Sequence, residues 1–181
     1  MPSEKEALKI QNYFDNQRNE MFFARVVLLV EGATEKFVFP AVSRLMGTDF
    51  DRYGISIIEC GGKGNLITFS KVASAFDIPY VVVADDDIRS LNGIEDETKR
   101  QKIQRENENH QKKNDALIAT VPSDLLFWMV PNIEAALGIN ENSDNKIKQA
   151  LERIKSEEFR KSIPSEITAP INKIVAINAH R

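Results

Sequence analysis

Cysteine occurs once in the 181 residues, at Cys60, which excludes an internal disulfide and any CxxC zinc site. Histidine occurs twice, at His110 and His180, both in polar stretches far in sequence from any acidic motif, so both read as surface residues. No apolar run approaches the roughly 20 residues of a membrane span. The opening stretch, MPSEKEALKIQNYFDNQ, lacks the apolar centre of a signal peptide. Positive charge is not in excess: 24 Lys and Arg face 27 Asp and Glu, a net charge of -3. Binding nucleic acid by bulk charge is therefore disfavoured, although local patches or metal ions still allow it. There is no GxxxxGK[ST] phosphate loop and no internal repeat. These absences predict a cytoplasmic protein with no membrane contact, and the chain is long enough for one real core.

What is present starts with apolar runs. RVVLLVEG (25–32), GISIIEC (54–60) and IPYVVVADDD (78–87) are spaced like strands. The first and third show no polar alternation, which predicts strands buried on both faces, as in a parallel sheet. Helical stretches lie between them. TEKFVFPAVSRLMG spaces Phe37, Ala41 and Leu45 by four, with Pro40 expected to kink it or to sit in its first turn. NLITFSKVASAF has Asn65 as a cap and a stripe of Leu66, Phe69, Ala73 and Phe76. Residues 95–116 are almost purely polar, with six acids and six Lys or Arg, and read as a solvated helix or a disordered insertion. A fourth strand is expected over 125–130, closed by Pro131, with a helix from about Asn132. Residues 142–179 read as helical with breaks at Pro164 and Pro170. The order predicts an α/β fold with a mostly parallel four-stranded sheet flanked by helices.

The chemistry collects at strand ends. The first strand runs into EGATE, giving Glu31 and Glu35; the second into ECGGKGN, giving Glu59 and Lys63; the third into Asp85, Asp86 and Asp87. Glu134 follows the fourth. In parallel α/β sheets the crevice outside the carboxyl ends of the strands is where ligands bind. Glu31 alone could answer a helix dipole, and the aspartates alone could form a solvated turn. Both at one sheet edge point instead to a site. Concentrated carboxylates are costly unless cations offset them. Oxygen ligands without histidine suit Mg²⁺, Mn²⁺ or Ca²⁺ rather than zinc, and one or two such ions serve phosphoryl chemistry. Gly62, Lys63 and Gly64, ahead of a helix, read either as a phosphate-cradling loop or as a plain glycine turn.

VVLLVEGATE followed by IPYVVVADDD resembles the Toprim signature, a glutamate in a glycine-containing turn after strand one and a DxD after strand three. Glu31 matches the glutamate, and Asp85 and Asp87 the DxD. NEMFFARVVLLVEGATEKFVFPAV is similar, more narrowly, to the Toprim part of the OLD (overcoming lysogenization defect) family nucleases. That resemblance implies a Rossmann-like Toprim domain over 1–181, with a core of about 24–138, a charged helical insertion and a helical C-terminal segment over about 142–181. It implies a second acid at Glu35, a further acid at Glu134 and a site lysine near the C-terminus, for which Lys173 in PINKIVA is the match. It also implies a metal-dependent endonuclease acting on nucleic acid, DNA in the first instance. An ABC-type ATPase in cis or in trans and homodimerisation are implied partners. OLD nucleases carry that ATPase ahead of the Toprim part, so this chain is expected to be either a piece of a longer ATPase-nuclease or a small Toprim protein.

In this reading Glu31, Glu35, Asp85, Asp87 and Glu134 hold one or two ions, and Lys63 or Lys173 neutralises the scissile phosphate. Glu35 is either ligand or general base. A topoisomerase needs a nucleophilic tyrosine in context, which Tyr13, Tyr53 and Tyr80 lack, and a single cysteine disfavours a zinc-bearing primase or recombination mediator. A small ribosomal-RNA-maturase-like Toprim nuclease and a non-catalytic metal- or partner-binding module are the alternatives. Cys60 has no base to make it a nucleophile, and Phe127, Trp128 and Met129 read as core. Strand alternation puts Asp85 and Asp87 on one face and Asp86 on the other. Asp86→Ala is therefore expected to be much milder than Asp85→Ala or Asp87→Ala in divalent-ion binding; equal losses from all three would break that division.

Overall fold

The structure, a computed structural model, describes residues 18–179. His180 and Tyr13 lie outside the described residues. Four strands, β1 (Val26–Val30), β2 (Ile55–Glu59), β3 (Tyr80–Asp85) and β4 (Leu126–Met129), form one all-parallel sheet in the order β2-β1-β3-β4. Among the described residues seven helices lie between and after the strands: α1 (Ala33–Leu45), α2 (Lys63–Ala75), α3 (Glu97–Ile118), α4 (Ile133–Leu137), α5 (Lys146–Lys155), α6 (Glu157–Lys161) and α7 (Ser165–Ala179). A short 3-10 turn, Arg18–Phe22, precedes β1.

Two cores explain the missing alternation in the first and third apolar runs. Val26, Leu28 and Val30 of β1 join Val81 and Val83 of β3 against α1, α5, α6 and α7. Val27 and Leu29 join Tyr80, Val82 and Ala84 against α2 and α3. All five residues of β1 are fully buried, so polar side chains have no face to occupy. Met129 of β4 belongs to the first core, with Phe127 packed against it, and Trp128 packs against the second. Cys60 is a buried thiol directed at the Ile58 carbonyl.

Several local expectations shift for packing reasons. In α1 the four-spaced trio is not the core face: Phe37 and Leu45 are exposed, while Thr34, Glu35, Val38, Phe39, Val42 and Ser43 are buried. The sheet selects the stripe that contains Val38, Phe39 and Val42, and this carries Glu35 inward. Pro40 lies inside α1, beyond the first turn. Asn65 is not a cap, because α2 starts two residues earlier behind Gly62; its side-chain amide donates back to the Cys60 carbonyl at 2.8 Å. Phe76 sits outside the core and meets Phe22 edge to face at 5.3 Å. The charged stretch is an ordered helix, capped by Asp96, whose carboxylate accepts from the Lys99 N–H. Pro170 does not break α7: it is buried with Ile167, Ile171 and Ile174, and that apolar face outweighs one lost backbone bond.

Because both faces of β1 are covered, Leu28→Ala and Leu29→Ala should each cost about 2–5 kcal/mol in urea unfolding. A loss below about 1 kcal/mol for either would show that its face of the sheet is not packed.

Candidate metal centre

β1 and β3 are neighbours, but the chain leaves β1 toward β2 on one side and reaches β3 on the other after α2. This is a topological switch point, where the connections diverge and a crevice opens beyond the strand ends. Glu31 follows β1, Asp85 ends β3, and Glu134 lies in the first turn of α4 just after β4. Together with Glu35 and Asp87 they line one cavity of about 400 Å³, joined by Arg89 and Lys146. Glu59, at the end of the edge strand β2, stays out of it and lies 3.9 Å from Lys36.

Each acid is held differently. The Glu31 carboxylate takes a backbone hydrogen bond from Asp85, yet its Oε2 is buried with no hydrogen-bond partner. Asp85 Oδ1 accepts the Ile133 N–H at 2.9 Å, tying β3 to the start of α4. Glu134 Oε1 accepts from the Thr34 hydroxyl and lies 3.3 Å from Lys146 Nζ. Asp87 Oδ2 is 2.9 Å from Lys63 Nζ and 3.3 Å from His110 Nδ1. His110 Nδ1 makes no hydrogen bond there.

Two supports fix the backbone around the acids. The glycine turn after β2 donates the N–H groups of Gly61 and Gly62 to the Glu31 carbonyl, at 2.9 and 3.2 Å. Gly62 does so at φ 118°, a conformation that side chains disfavour. On the other side, α3 grips the aspartate turn. Ile103, Asn107, His110, Asn114 and Leu117 alternate by four and three along its inner stripe. The Asn107 side chain accepts from the Arg89 N–H and donates to the Arg89 carbonyl, and Asn114 donates to both the carbonyl and the carboxylate of Asp86.

Burial of several acids together costs charge. Burial, then the nearby Glu35, Glu31 and Asp87, pushes Asp85 up to about 9. Burial likewise raises Glu35 to about 7, with Glu31 and Glu134 adding to it, and raises Glu31 against the pull of Lys63. As they stand, no three His, Cys, Asp or Glu side chains among the described residues are grouped to hold a metal ion. Unneutralised carboxylates repel one another and have no reason to converge. The donor set still fits a hard divalent cation: it is all oxygen, it is short of positive charge, and Glu31 Oε2 is a buried acceptor with nothing to accept.

The family described as "Overcoming lysogenization defect protein-like, TOPRIM domain" matches residues 22–87, the span from before β1 through the DxD. Residues 22–87 of this chain are thus similar to an OLD-like Toprim domain. The chain is 35% identical over 148 residues to a protein of Thermus scotoductus named OLD nuclease, covering 82% of this chain and 28% of that protein. The chain thus spans about a quarter of the length of that relative. Its fold is similar to the solved C-terminal region of the Burkholderia pseudomallei OLD protein, with a TM-score of 0.56 at 18% identity, covering 87% of this chain and all of that one. The corresponding region of the Xanthomonas campestris pv. campestris OLD protein gives 0.52 at 19% identity, covering 89% of this chain and 97% of that one.

The fold brings Glu31, Glu35, Asp85, Asp87 and Glu134 to one cavity and leaves other expected residues elsewhere. Lys173 pairs with Asp124 at 2.8 Å, just before the start of β4, the end of the strand opposite to the acids. The glycine loop is not an open phosphate cradle: the Gly62 N–H is taken by Glu31, and Lys63 is buried against Asp87 instead of facing solvent. Asp86 does point away from the cavity, but not by strand alternation, because β3 stops at Asp85 and Asp87 has φ 60°. His110 is only 33% exposed and belongs to the site, contrary to the surface reading. Arg89, Lys146, Thr34 and Asn114 were not expected. Only Arg89, two residues past the DxD, and the 103-107-110-114-117 stripe left a trace in the sequence.

The raised carboxyls set a pH dependence. Their folded values lie above the unfolded ones near 4. Their contribution to stability is therefore complete below about pH 4 and lost as pH rises through about 7 for Glu35 and about 9 for Asp85. In EDTA the melting temperature should fall between pH 5 and 9, and Mn²⁺ should raise it more at pH 9 than at pH 5. Asp85→Asn should flatten the fall. A melting temperature that climbs with pH in EDTA would contradict this account of the crevice.

Proposed function

We propose that this chain is the nuclease part of an OLD-type protein, a divalent-metal-dependent endonuclease that cleaves phosphodiester bonds of DNA. The observation that carries the reading is the meeting of the EGATE and DxD acids in one crevice at the switch point, with a buried glutamate oxygen left unsatisfied. The relation to a protein named OLD nuclease supports it. The catalytic core lies within about residues 24–138, and an ABC-type ATPase in cis or trans and a second copy of the chain are its partners. No helix among the described residues is long and apolar enough to cross a membrane, and a cytoplasmic location is part of the reading.

Glu31, Asp85, Asp87 and Glu134 hold one or two Mg²⁺ or Mn²⁺ ions in this reading. A bound ion supplies Lewis-acid neutralisation of the scissile phosphate. The protein does the rest. Glu35, poised near 7 by burial and its acidic neighbours, is the base that takes a proton from the attacking water. Arg89 and Lys146 line the cavity with exposed cationic heads and meet the substrate phosphates, the role that Lys63 and Lys173 are not placed to fill. The backbone bonds to Glu31 and to the aspartate turn hold these groups in place before substrate arrives.

The test is cleavage of plasmid DNA by the full chain with Mg²⁺ or Mn²⁺, alongside a structured ribosomal RNA precursor. Wild type should cut the plasmid, and Glu31→Gln or Asp85→Asn should lower the rate by about 100-fold or more. Preferential cutting of the RNA would favour the maturase-like alternative. Ion binding without cleavage of either would favour a non-catalytic module, and full activity in both variants would place the site elsewhere.

A further inference from the structure

Lys63 differs from the other cations of the crevice. Its side chain is 2% exposed, whereas those of Arg89 and Lys146 are 60% and 40% exposed. A substrate phosphate therefore meets Arg89 or Lys146 and cannot reach the Lys63 ammonium. That ammonium faces inward, 2.9 Å from Asp87 Oδ2 and 3.2 Å from the Asp86 carbonyl. Of the cations acting on Glu31, Lys63 acts most strongly.

The simplest role would be to hold the aspartate turn, but the turn is held without it. The Asp86 N–H donates to the Met129 carbonyl at 2.8 Å and the Asp87 N–H to the Pro131 carbonyl at 2.7 Å. Asn114 donates to the Asp86 carbonyl at 2.9 Å and to its carboxylate at 3.1 Å, and Asn107 clamps the backbone of Arg89. With the backbone fixed from β4, α4's approach and α3, what Lys63 adds is charge. The ammonium sits beside Asp87 and acts on Glu31, and it has the same sign as the ion those acids would take up.

We infer that Lys63 is a resident counter-cation: it neutralises Asp87 while the crevice holds no divalent ion, and it repels the ion once it binds, so it sets how tightly the ion is held. The inference rests on the reading of the acids as a divalent-cation site. Lys63 is a positioning residue acting through Asp87, and it makes the ion weakly held until a substrate phosphate adds negative charge beside it.

Calorimetric titration of the full chain with Mn²⁺ tests it, comparing wild type with Lys63→Gln, Lys63→Arg and Asn114→Ala. Lys63→Gln keeps an N–H donor for Asp87 and removes the charge. It should bind Mn²⁺ roughly ten-fold tighter, the scale of one charge acting on a dication in a partly screened crevice. It should also melt lower in EDTA, while Lys63→Arg binds Mn²⁺ as wild type does. Equal or weaker binding by a folded Lys63→Gln reduces Lys63 to a structural tether and overturns the inference. Tighter binding by Asn114→Ala as well would assign the effect to a loosened turn and overturn it too. A Lys63→Gln chain that loses its circular-dichroism signal moves the test to wild type. There the Lys63 side-chain ammonium resonance should shift on saturation with Mg²⁺, and a resonance that stays put overturns the inference. Absence of Mn²⁺ binding by wild type overturns the cation-site reading itself, and with it this inference.

Discussion

Like charges confined in a crevice repel, and this structure is organised around that repulsion. The switch point between β1 and β3 concentrates Glu31, Glu35, Asp85, Asp87 and Glu134 where water is scarce. Asp85 and Glu35 respond by holding their protons far above the usual carboxylate range, because burial and their acidic neighbours both oppose the charged form. A fold that served only its own stability would not gather them. The neighbouring parts of the structure are best understood as what keeps the gathering tolerable: Lys63 beneath Asp87, Lys146 beside Glu134, and a hydrogen bond from the Ile133 N–H to Asp85.

The same constraint gives purpose to two segments that look unremarkable as local structure. The glycine turn after β2 aims its N–H groups at the Glu31 carbonyl, so the positive φ of Gly61 and Gly62 serves the acid on the neighbouring strand. α3 is polar almost throughout and would be marginal alone in water. It is kept by a narrow inner stripe in which Ile103 and Leu117 pack, Asn107 and Asn114 grip the aspartate turn, and His110 lies against Asp87. A helix that reads as a solvated insertion holds the aspartate turn of the site.

The strands, their order in the chain and the acids at their ends were legible in the sequence, because both signals are local. An unbroken apolar run such as VVLLV means burial on both faces wherever it sits, and an acid just past it lies at a strand end. The separate helices were legible too, and so was most of the buried stripe of α2, with Leu66, Phe69 and Ala73 inside and only Phe76 out, but not the buried face of α1: it offered one apolar trio by spacing and the sheet took another, carrying Glu35 inward. Pro170 read as a break because its lost hydrogen bond is local, whereas the packing of α7 that compensates is not. Lys63 read as a phosphate contact and His110 as a surface residue, since nothing nearby in sequence announces Asp87 as the partner of either.

By itself, then, the sequence determined the α/β class, the strand ends and the presence of the acidic pairs, since periodicity and residue type act over a few positions. Only the tertiary structure decided the order β2-β1-β3-β4, and hence that Glu31 and Asp85 share a crevice while Glu59 does not. It also decided which cation meets which acid. Lys63 reaches Asp87 across 24 residues of chain and Lys146 reaches Glu134 from another helix, while Lys173 is taken by Asp124 at the far end of the sheet. Such pairings depend on the distance between folded elements, a quantity that no local pattern of residues encodes.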